Sequence, residues 1–338
     1  MSEAGAASKG NYGDSGFARM TSGVGLNVMR SFRAVPKASV ILPMLLAAVA
    51  DGQVRKWLGL MTPGPQGAVW VHGWCRRLVW ALGIVCEVSG PIPEAEEGML
   101  AVVSNHLSYL DVLLYSATRP FVMVAKTEVR GWPLIGWITA QAGTVYVQRA
   151  DVKGGKTQTH AEVNAMMAAA YRSGLPVMFF PEGTTTNGSE ILPLRRGLYN
   201  SVVYDRVPVK VAAIGFEITR LNSGATVGED VCFVGEAEFG PHLLAFLRLR
   251  GVKAKMRFGD EVIAGEDRFA LARNSRERMV EMYNGLEQER NTEILRVAQN
   301  DLNLGLWEQM AAVQGAEDVF DRPVEGLGAV YDEGGARG

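Results

Sequence analysis

Two short apolar runs, each breaking into a polar turn, constrain this chain more than any other feature. Met99-Leu100-Ala101-Val102-Val103 leads into Ser104-Asn105-His106-Leu107-Ser108-Tyr109-Leu110-Asp111, and Pro176-Val177-Met178-Phe179-Phe180 leads into Pro181-Glu182-Gly183-Thr184-Thr185. Uninterrupted apolar runs of this length read as strands buried on both faces, as in a parallel sheet covered by helices. Leu113-Leu114-Tyr115, after the first turn, suits the inner side of a helix. Strand, polar turn, helix is where open α/β sheets gather their chemistry, at the carboxyl ends of the strands. The expected fold is an α/β sandwich, a central largely parallel or mixed sheet flanked by helices.

The first turn carries a histidine with a carboxylate five residues on. A neutral imidazole can take a proton from an alcohol, worth roughly 10²–10⁴-fold in rate. A carboxylate on the other ring nitrogen fixes the tautomer and stabilises the imidazolium that forms. In a regular helix five residues advance about 500°, which would leave His106 and Asp111 about 140° apart. The two can meet only if His106 lies in the turn, before the helix is regular. Ser104, Asn105 and Ser108 suit the capping of such an entry. The plain alternative is a capping histidine beside a helix-surface aspartate.

The second turn, and two blocks between and after, settle on one resemblance. His106-x₄-Asp111 preceded by Asn105, then Phe180-Pro181-Glu182-Gly183-Thr184, resembles the glycerolipid acyltransferases of the lysophosphatidate acyltransferase type. Lys126-Thr127-Glu128 and Trp132 to Trp137 lead into Gly143-Thr144-Val145-Tyr146-Val147-Gln148-Arg149, where the family's Gly-x-x-Phe-x-x-Arg block stands with Tyr146 for Phe. Val207-Pro208-Val209-Lys210-Val211 keeps the first proline of the family's Pro-Val-x-Pro-Val pattern and has Val211 for the second. The resemblance covers roughly residues 70–285 and implies a glycerol-phosphate acyltransferase-like sandwich.

By that resemblance, His106 is the base and Asp111 its orienting partner in a transfer of a fatty acyl group from acyl-CoA or acyl-ACP to the free hydroxyl of lysophosphatidate, giving phosphatidate. No serine or cysteine is paired with the base, which implies direct attack rather than an acyl-enzyme. Arg149, Glu182, Gly183, Thr184, Arg195 and Arg196 are implied as the acceptor site, with Asn105, Ser108, Lys126 and Gly143 in support. No metal and no cofactor beyond the co-substrate thioester is implied. Acceptors such as lyso-ornithine lipid or another lysophospholipid stay open, as does a non-catalytic lipid-binding membrane protein.

Composition adds limits. With 338 residues and a net charge of −2, no global field argues for nucleic acid. Cys75, Cys86 and Cys232 have neither an even count nor metal spacing and read as apolar residues of a reducing compartment. Residues 1–16 read as a disordered N-terminus, 17–67 as a basic membrane-associating segment, 68–290 as the acyltransferase domain and 291–338 as a C-terminal helix with a flexible tail. From Arg19 to Arg77, eight Lys or Arg face one acid, Asp51. Val40–Ala50 is apolar for 11 residues, short of the ~20 a spanning helix needs. Trp70, Trp74, Leu78, Ala81 and Val85 recur at helical spacing beside Arg76 and Arg77, suiting either a headgroup boundary or a core helix. The expected location is the cytoplasmic face of a membrane, peripheral or monotopic, with the lipid acceptor, the donor thioester and the membrane surface as partners.

Further expectations are strands over Pro120–Ala125, Val145–Val147, Val207–Phe216 and Val231–Val234, and helices over 157–171, 269–289 and 294–313. Arg248, Arg250, Lys253, Lys255 and Arg257 form a basic run with strand alternation, a solvated face or an attractor of a phosphate-bearing donor. Gly154-Gly155-Lys156-Thr157 lacks the first glycine and the strand of a phosphate loop. Asn187-Gly188-Ser189 is a glycosylation sequon by pattern only. His72, His160 and His242 read as ordinary surface or core residues.

Overall fold

The presence of a partner strand decides which of the apolar runs join the sheet. The computed structural model describes residues 15–94, 99–148, 158–219, 221–222, 224–235, 237–265 and 267–313; Arg149 and the 154–157 run lie outside them. Among these residues one sheet has the strand order β1-β7-β6-β2-β5-β3-β4. The strands are β1 (Ile84–Ser89), β2 (Ala101–Val103), β3 (Val122–Lys126), β4 (Val145–Val147), β5 (Val177–Phe179), β6 (Val209–Ile218) and β7 (Val252–Ile263). Every neighbouring pair is parallel except β6 and β7, which run antiparallel. Short β2 lies between β5 and β6 with all three residues fully buried, as a run without polar residues requires.

Helices flank this sheet: α1 (Ser15–Trp57), α2 (Pro65–Leu82), α3 (Tyr109–Thr118), α4 (Ile135–Gln141), α5 (His160–Tyr171), α6 (Tyr199–Tyr204), α7 (Val227–Asp230) and α8 (Phe239–Leu247); α9 (Arg268–Val313) follows β7 in the chain. Their ends follow local chemistry. α2 has Pro65 in its first turn, and Gly83 ends it at φ 69°, its N–H donating to Trp80 O at 3.0 Å. α5 opens on a capping box, with Thr159 and Glu162 each accepting the other's backbone amide.

The α2 face follows the spacing as far as Ala81: Trp70 and Leu78 are buried and Trp74 and Ala81 pack half-buried against the core, with Ala68, Val71, Cys75, Val79 and Leu82 beside them, whereas Val85 belongs to β1, beyond the Gly83 cap. Trp80 stands 81% exposed on the outer side. The helix therefore serves as a core helix on one face and presents tryptophan on the other. His72 donates from Nδ1 to Ser116 O at 2.8 Å, fastening α2 to α3.

The N-terminal helix is longer than the apolar run suggested. Ala34–Trp57 gives 24 helical residues with a mean hydropathy of 1.6, long and apolar enough to cross a membrane by length and composition. The run Val40–Ala50 undercounted it because Ser39, Lys37, Asp51 and the polar residues after it break the string but not the helix. Asp51, the lone acid of this stretch, is used internally. It accepts from the indoles of Trp70 at 2.8 Å and Trp74 at 3.0 Å and pairs with Arg55 at 2.8 Å. Lys37 Nζ donates to Leu82 O at 2.8 Å and Leu249 O at 2.9 Å, where the last carbonyls of a helix want a cation.

Two more expectations are corrected. Val231–Val234 forms no strand; Phe233 N–H donates instead to Leu107 O at 2.8 Å, outside the sheet. The basic run is largely strand β7, but its central lysines are neutralised: Lys255 meets Glu217 at 2.7 Å and Lys253 meets Glu87 at 3.2 Å. Those two lysines are spoken for by β1 and β6 rather than open to a phosphate. The chain divides into two compact units, Met1–Glu287 and Gln288–Gly338. In the second, the described part is helical to Val313 and leaves Ile294 and Leu295 exposed.

Candidate active site

β2 ends at Val103, and a side chain takes over its sheet pairing. Asn105 Nδ2 donates to Ile214 O at 2.9 Å and Oδ1 accepts from Ile214 N at 2.8 Å. The amide thus supplies to β6 one residue's worth of ladder, and the backbone is free to turn out of the sheet. Ser104 Oγ hydrogen-bonds Tyr115 OH at 2.7 Å, fixing the start of the turn to α3. Next comes His106, ahead of the helix, with Ser108 in extended conformation as its N-cap.

Asp111, in the first turn of α3, is fully buried and points back into that turn. Its Oδ2 accepts from His106 Nδ1 at 2.9 Å, Leu107 N at 2.6 Å and Ser108 N at 2.9 Å. A carboxylate can only accept, so the proton of the neutral imidazole sits on Nδ1 and Nε2 carries the lone pair. Nε2 has no hydrogen bond among the described residues, and the side chain is 19% exposed. The ring stacks on Phe180, centroids 4.1 Å apart and planes 14° apart. The ends of β2 and β5 thereby deliver the two rings that face each other.

Glu182 joins the two turns. Its Oε1 accepts from His106 N and its Oε2 from Leu192 N, both at 2.8 Å. Burial pushes its carboxyl above the usual carboxylate range, against the lowering effect of those two amides. With both oxygens engaged by backbone, Glu182 stands as a brace behind His106. Thr186 N–H adds a bond to His106 O at 2.9 Å. Glu182→Gln would put an amide donor against one of two backbone donors. It should lower kcat by about tenfold or more and cost ~1–3 kcal/mol of stability; unchanged turnover and melting temperature in the purified variant would exclude the brace.

The other expected site residues divide into near and far. Gly183 sits at φ 69° in the turn, and a Cβ there would meet Arg195 Cδ at 2.6 Å, so Arg195 lies directly over it. Thr184 is half-buried beside it, and Arg195 is exposed. Arg196 points elsewhere, its guanidinium 4.6 Å from the ring of Phe269. Lys126 is exposed at the end of β3. Gly143 serves packing: at φ 74°, a Cβ would meet Gly64 Cα at 2.8 Å ahead of α2. Arg149 lies outside the described residues.

α9 contributes residues that the pattern did not single out. Arg276 Nη2 donates to Ile191 O at 2.6 Å and its Nε to Leu192 O at 3.3 Å, while Tyr283 OH donates to Gly188 O at 2.8 Å. They pin the loop whose Leu192 amide holds Glu182. No local signal could have found them, since the bonds span about ninety residues. Burial pushes the thiols of Cys75 and Cys232 up to about 12 and that of Cys86 up to about 11, far from a thiolate nucleophile. Among the described residues no group of three or more His, Cys, Asp or Glu is placed to hold a metal ion.

Comparison with known proteins adds the following. Residues 85–214 match the family model described as Acyltransferase. A lyso-ornithine lipid O-acyltransferase from Brucella abortus is 33% identical over 227 residues, 62% of this chain and 82% of that protein. One of the same name from Rhodobacter capsulatus is 35% identical over 206 residues, 60% and 67% of the two chains. A 1-acyl-sn-glycerol-3-phosphate acyltransferase from Neisseria meningitidis is 32% identical over 162 residues, 46% and 61%. Among solved structures, the 1-acyl-sn-glycerophosphate acyltransferase PlsC of Thermotoga maritima aligns with a TM-score of 0.52 at 16% identity, over 77% of this chain and 96% of that one. That likeness is one of fold.

Proposed function

This chain belongs to the acyltransferase family, and on that premise we propose that it esterifies the free hydroxyl of a lysolipid with a fatty acyl group taken from a thioester. The observation that carries the reading is the His106–Asp111 pair at 2.9 Å with Nε2 left unbonded. Nε2 takes the hydroxyl proton as the acceptor oxygen attacks the thioester carbonyl. Asp111 stabilises the imidazolium that forms. The tetrahedral oxyanion collapses, the C–S bond breaks, and the leaving thiolate takes the proton back from Nε2, giving ester and thiol. The raised thiols support direct transfer over an acyl-enzyme.

The resemblance pointed first to lysophosphatidate as acceptor. The comparisons favour lyso-ornithine lipid, because the relatives of that name match over 227 and 206 residues against 162 for the Neisseria protein. Both acceptors carry an anionic group, carboxylate in one and phosphate in the other, that the exposed Arg195 guanidinium beside the Gly183 turn would suit. The donor is proposed to be acyl-CoA or acyl-ACP, and the apolar Ala34–Trp57 helix supports attachment to a membrane, proposed at its cytoplasmic face.

The deciding assay is acceptor-dependent thiol release from a long-chain acyl-CoA, and in parallel from acyl-ACP, with lyso-ornithine lipid, lysophosphatidate and a neutral monoacylglycerol. Faster release with lyso-ornithine lipid supports this acceptor. Faster release with lysophosphatidate keeps the mechanism and moves the acceptor. No release with any pairing refutes the enzyme reading.

A further inference from the structure

α8 brings a histidine to the back of the turn that carries His106. His242 is buried, and its Nε2 lies 2.9 Å from Cys232 O. A carbonyl only accepts, so Nε2 bears the proton and Nδ1 accepts from Tyr109 OH at 3.2 Å. Tyr109 is the first residue of α3, immediately after the Ser108 cap. The imidazole therefore joins two segments 123 residues apart in sequence, Tyr109 and Cys232.

The Cys232-Phe233 segment is itself a strut. Phe233 N–H donates to Leu107 O at 2.8 Å, and the hydroxyl of Thr185 donates to Phe233 O. Thr186 N–H donates to His106 O at 2.9 Å, which closes a ring of bonds through both site turns. Aromatic edges fill it: His242 lies 5.6 Å from the Tyr109 ring and 5.3 Å from the Phe233 ring, both near perpendicular. Without His242, Cys232 O and the Tyr109 hydroxyl lose their partners. Leu107 and Thr185 would then be held by a segment that forms no strand and is anchored upstream by Val231 N–H and Cys232 N–H on Val227 O.

We infer that His242 is a positioning residue for acyl transfer: by holding the Cys232-Phe233 strut against Leu107 and Thr185, it fixes the turn that aims His106. The inference rests on His106 being the base. It does not require His242 to touch substrate, and burial, which pulls its imidazole below the ordinary histidine range, keeps it in the neutral form that both bonds use.

The test compares the full-length wild type with His242→Leu, His242→Gln, Tyr109→Phe and His106→Ala. Glutamine carries a donor and an acceptor spaced like the two ring nitrogens; leucine fills the space with neither. His242→Leu should lower kcat by about tenfold to a hundredfold with KM within about twofold, since small misplacements of a base cost that much. His242→Gln should recover kcat to within about threefold of wild type, and Tyr109→Phe should not multiply with His242→Leu, because both break one network.

Wild-type kcat in folded His242→Leu, with only the melting temperature lowered, would overturn the inference, as would glutamine no better than leucine. If His242→Leu does not fold, Tyr109→Phe decides: a fall in kcat at constant KM supports the role, and wild-type kcat overturns it. His106→Ala separates the two readings. Activity surviving there defeats the base assignment itself, whereas its loss beside an active His242→Leu defeats only the inference drawn from α8.

Discussion

Replacing His106 with alanine should lower kcat by roughly 10²–10⁴-fold, the worth of a general base, with the fold intact. The backbone bonds of the turn do not depend on the imidazole. His106 N stays on Glu182, His106 O stays on Thr186 N, and Asp111 keeps the amides of Leu107 and Ser108. What goes is the Nδ1–H bond to Asp111 Oδ2, the stacking on Phe180 and the lone pair on Nε2. Thiol release from acyl-CoA in the presence of acceptor measures the loss, and a thermal melt checks the fold. Residual turnover above about a tenth of wild type would remove His106 from the role of base.

Asp111→Asn tests the charge with the geometry held. All three donors converge on Oδ2, and Oδ1, buried, has no hydrogen-bond partner among the described residues. Asparagine can place its oxygen where Oδ2 is, since the reverse flip would set an amine against three N–H groups. The imidazole therefore keeps its tautomer, and the rate falls through loss of the anion facing the imidazolium. At about 4 Å and an effective dielectric of about 20, that attraction is ~4 kcal/mol, an upper limit near 10³-fold. The amide N–H left in the unpartnered pocket should cost a further ~1–3 kcal/mol of stability. A folded Asp111→Asn with wild-type kcat would show that the carboxylate acts as a helix cap alone.

The turn that pairs His106 with Asp111 is legible because its logic is local. An apolar run, a polar turn and a helix bearing Asp111 lie within thirteen residues, Met99 to Asp111, and the 140° argument already required His106 to precede the helix. β5 and its Pro-Glu-Gly turn were legible for the same reason. β1 is hidden in the sequence because Ile84 and Val85 continue the apolar content of α2; Gly83, the left-handed cap, is the local sign of the break. Val231–Val234 has the composition of a strand and forms none, because β-branched and aromatic residues favour strands only where a partner strand exists. Here the partner is Leu107 O. The lysines of β7 were placed on a strand, but Glu87 and Glu217, which absorb Lys253 and Lys255, come from β1 and β6.

The sequence by itself determined what hydrophobic periodicity and short spacing can carry: an α/β sheet with buried strands, a turn able to pair His106 with Asp111, and a second turn built on Glu182. Only the tertiary structure decided how those turns are held. Asn105 finds its partner 109 residues away at Ile214, Glu182 spans to His106 and Leu192, Arg276 reaches the carbonyls of Ile191 and Leu192, and His242 ties Tyr109 to Cys232. These bonds satisfy buried polar groups that water cannot reach, and such groups are paired by whatever the fold brings near, at no fixed spacing along the chain.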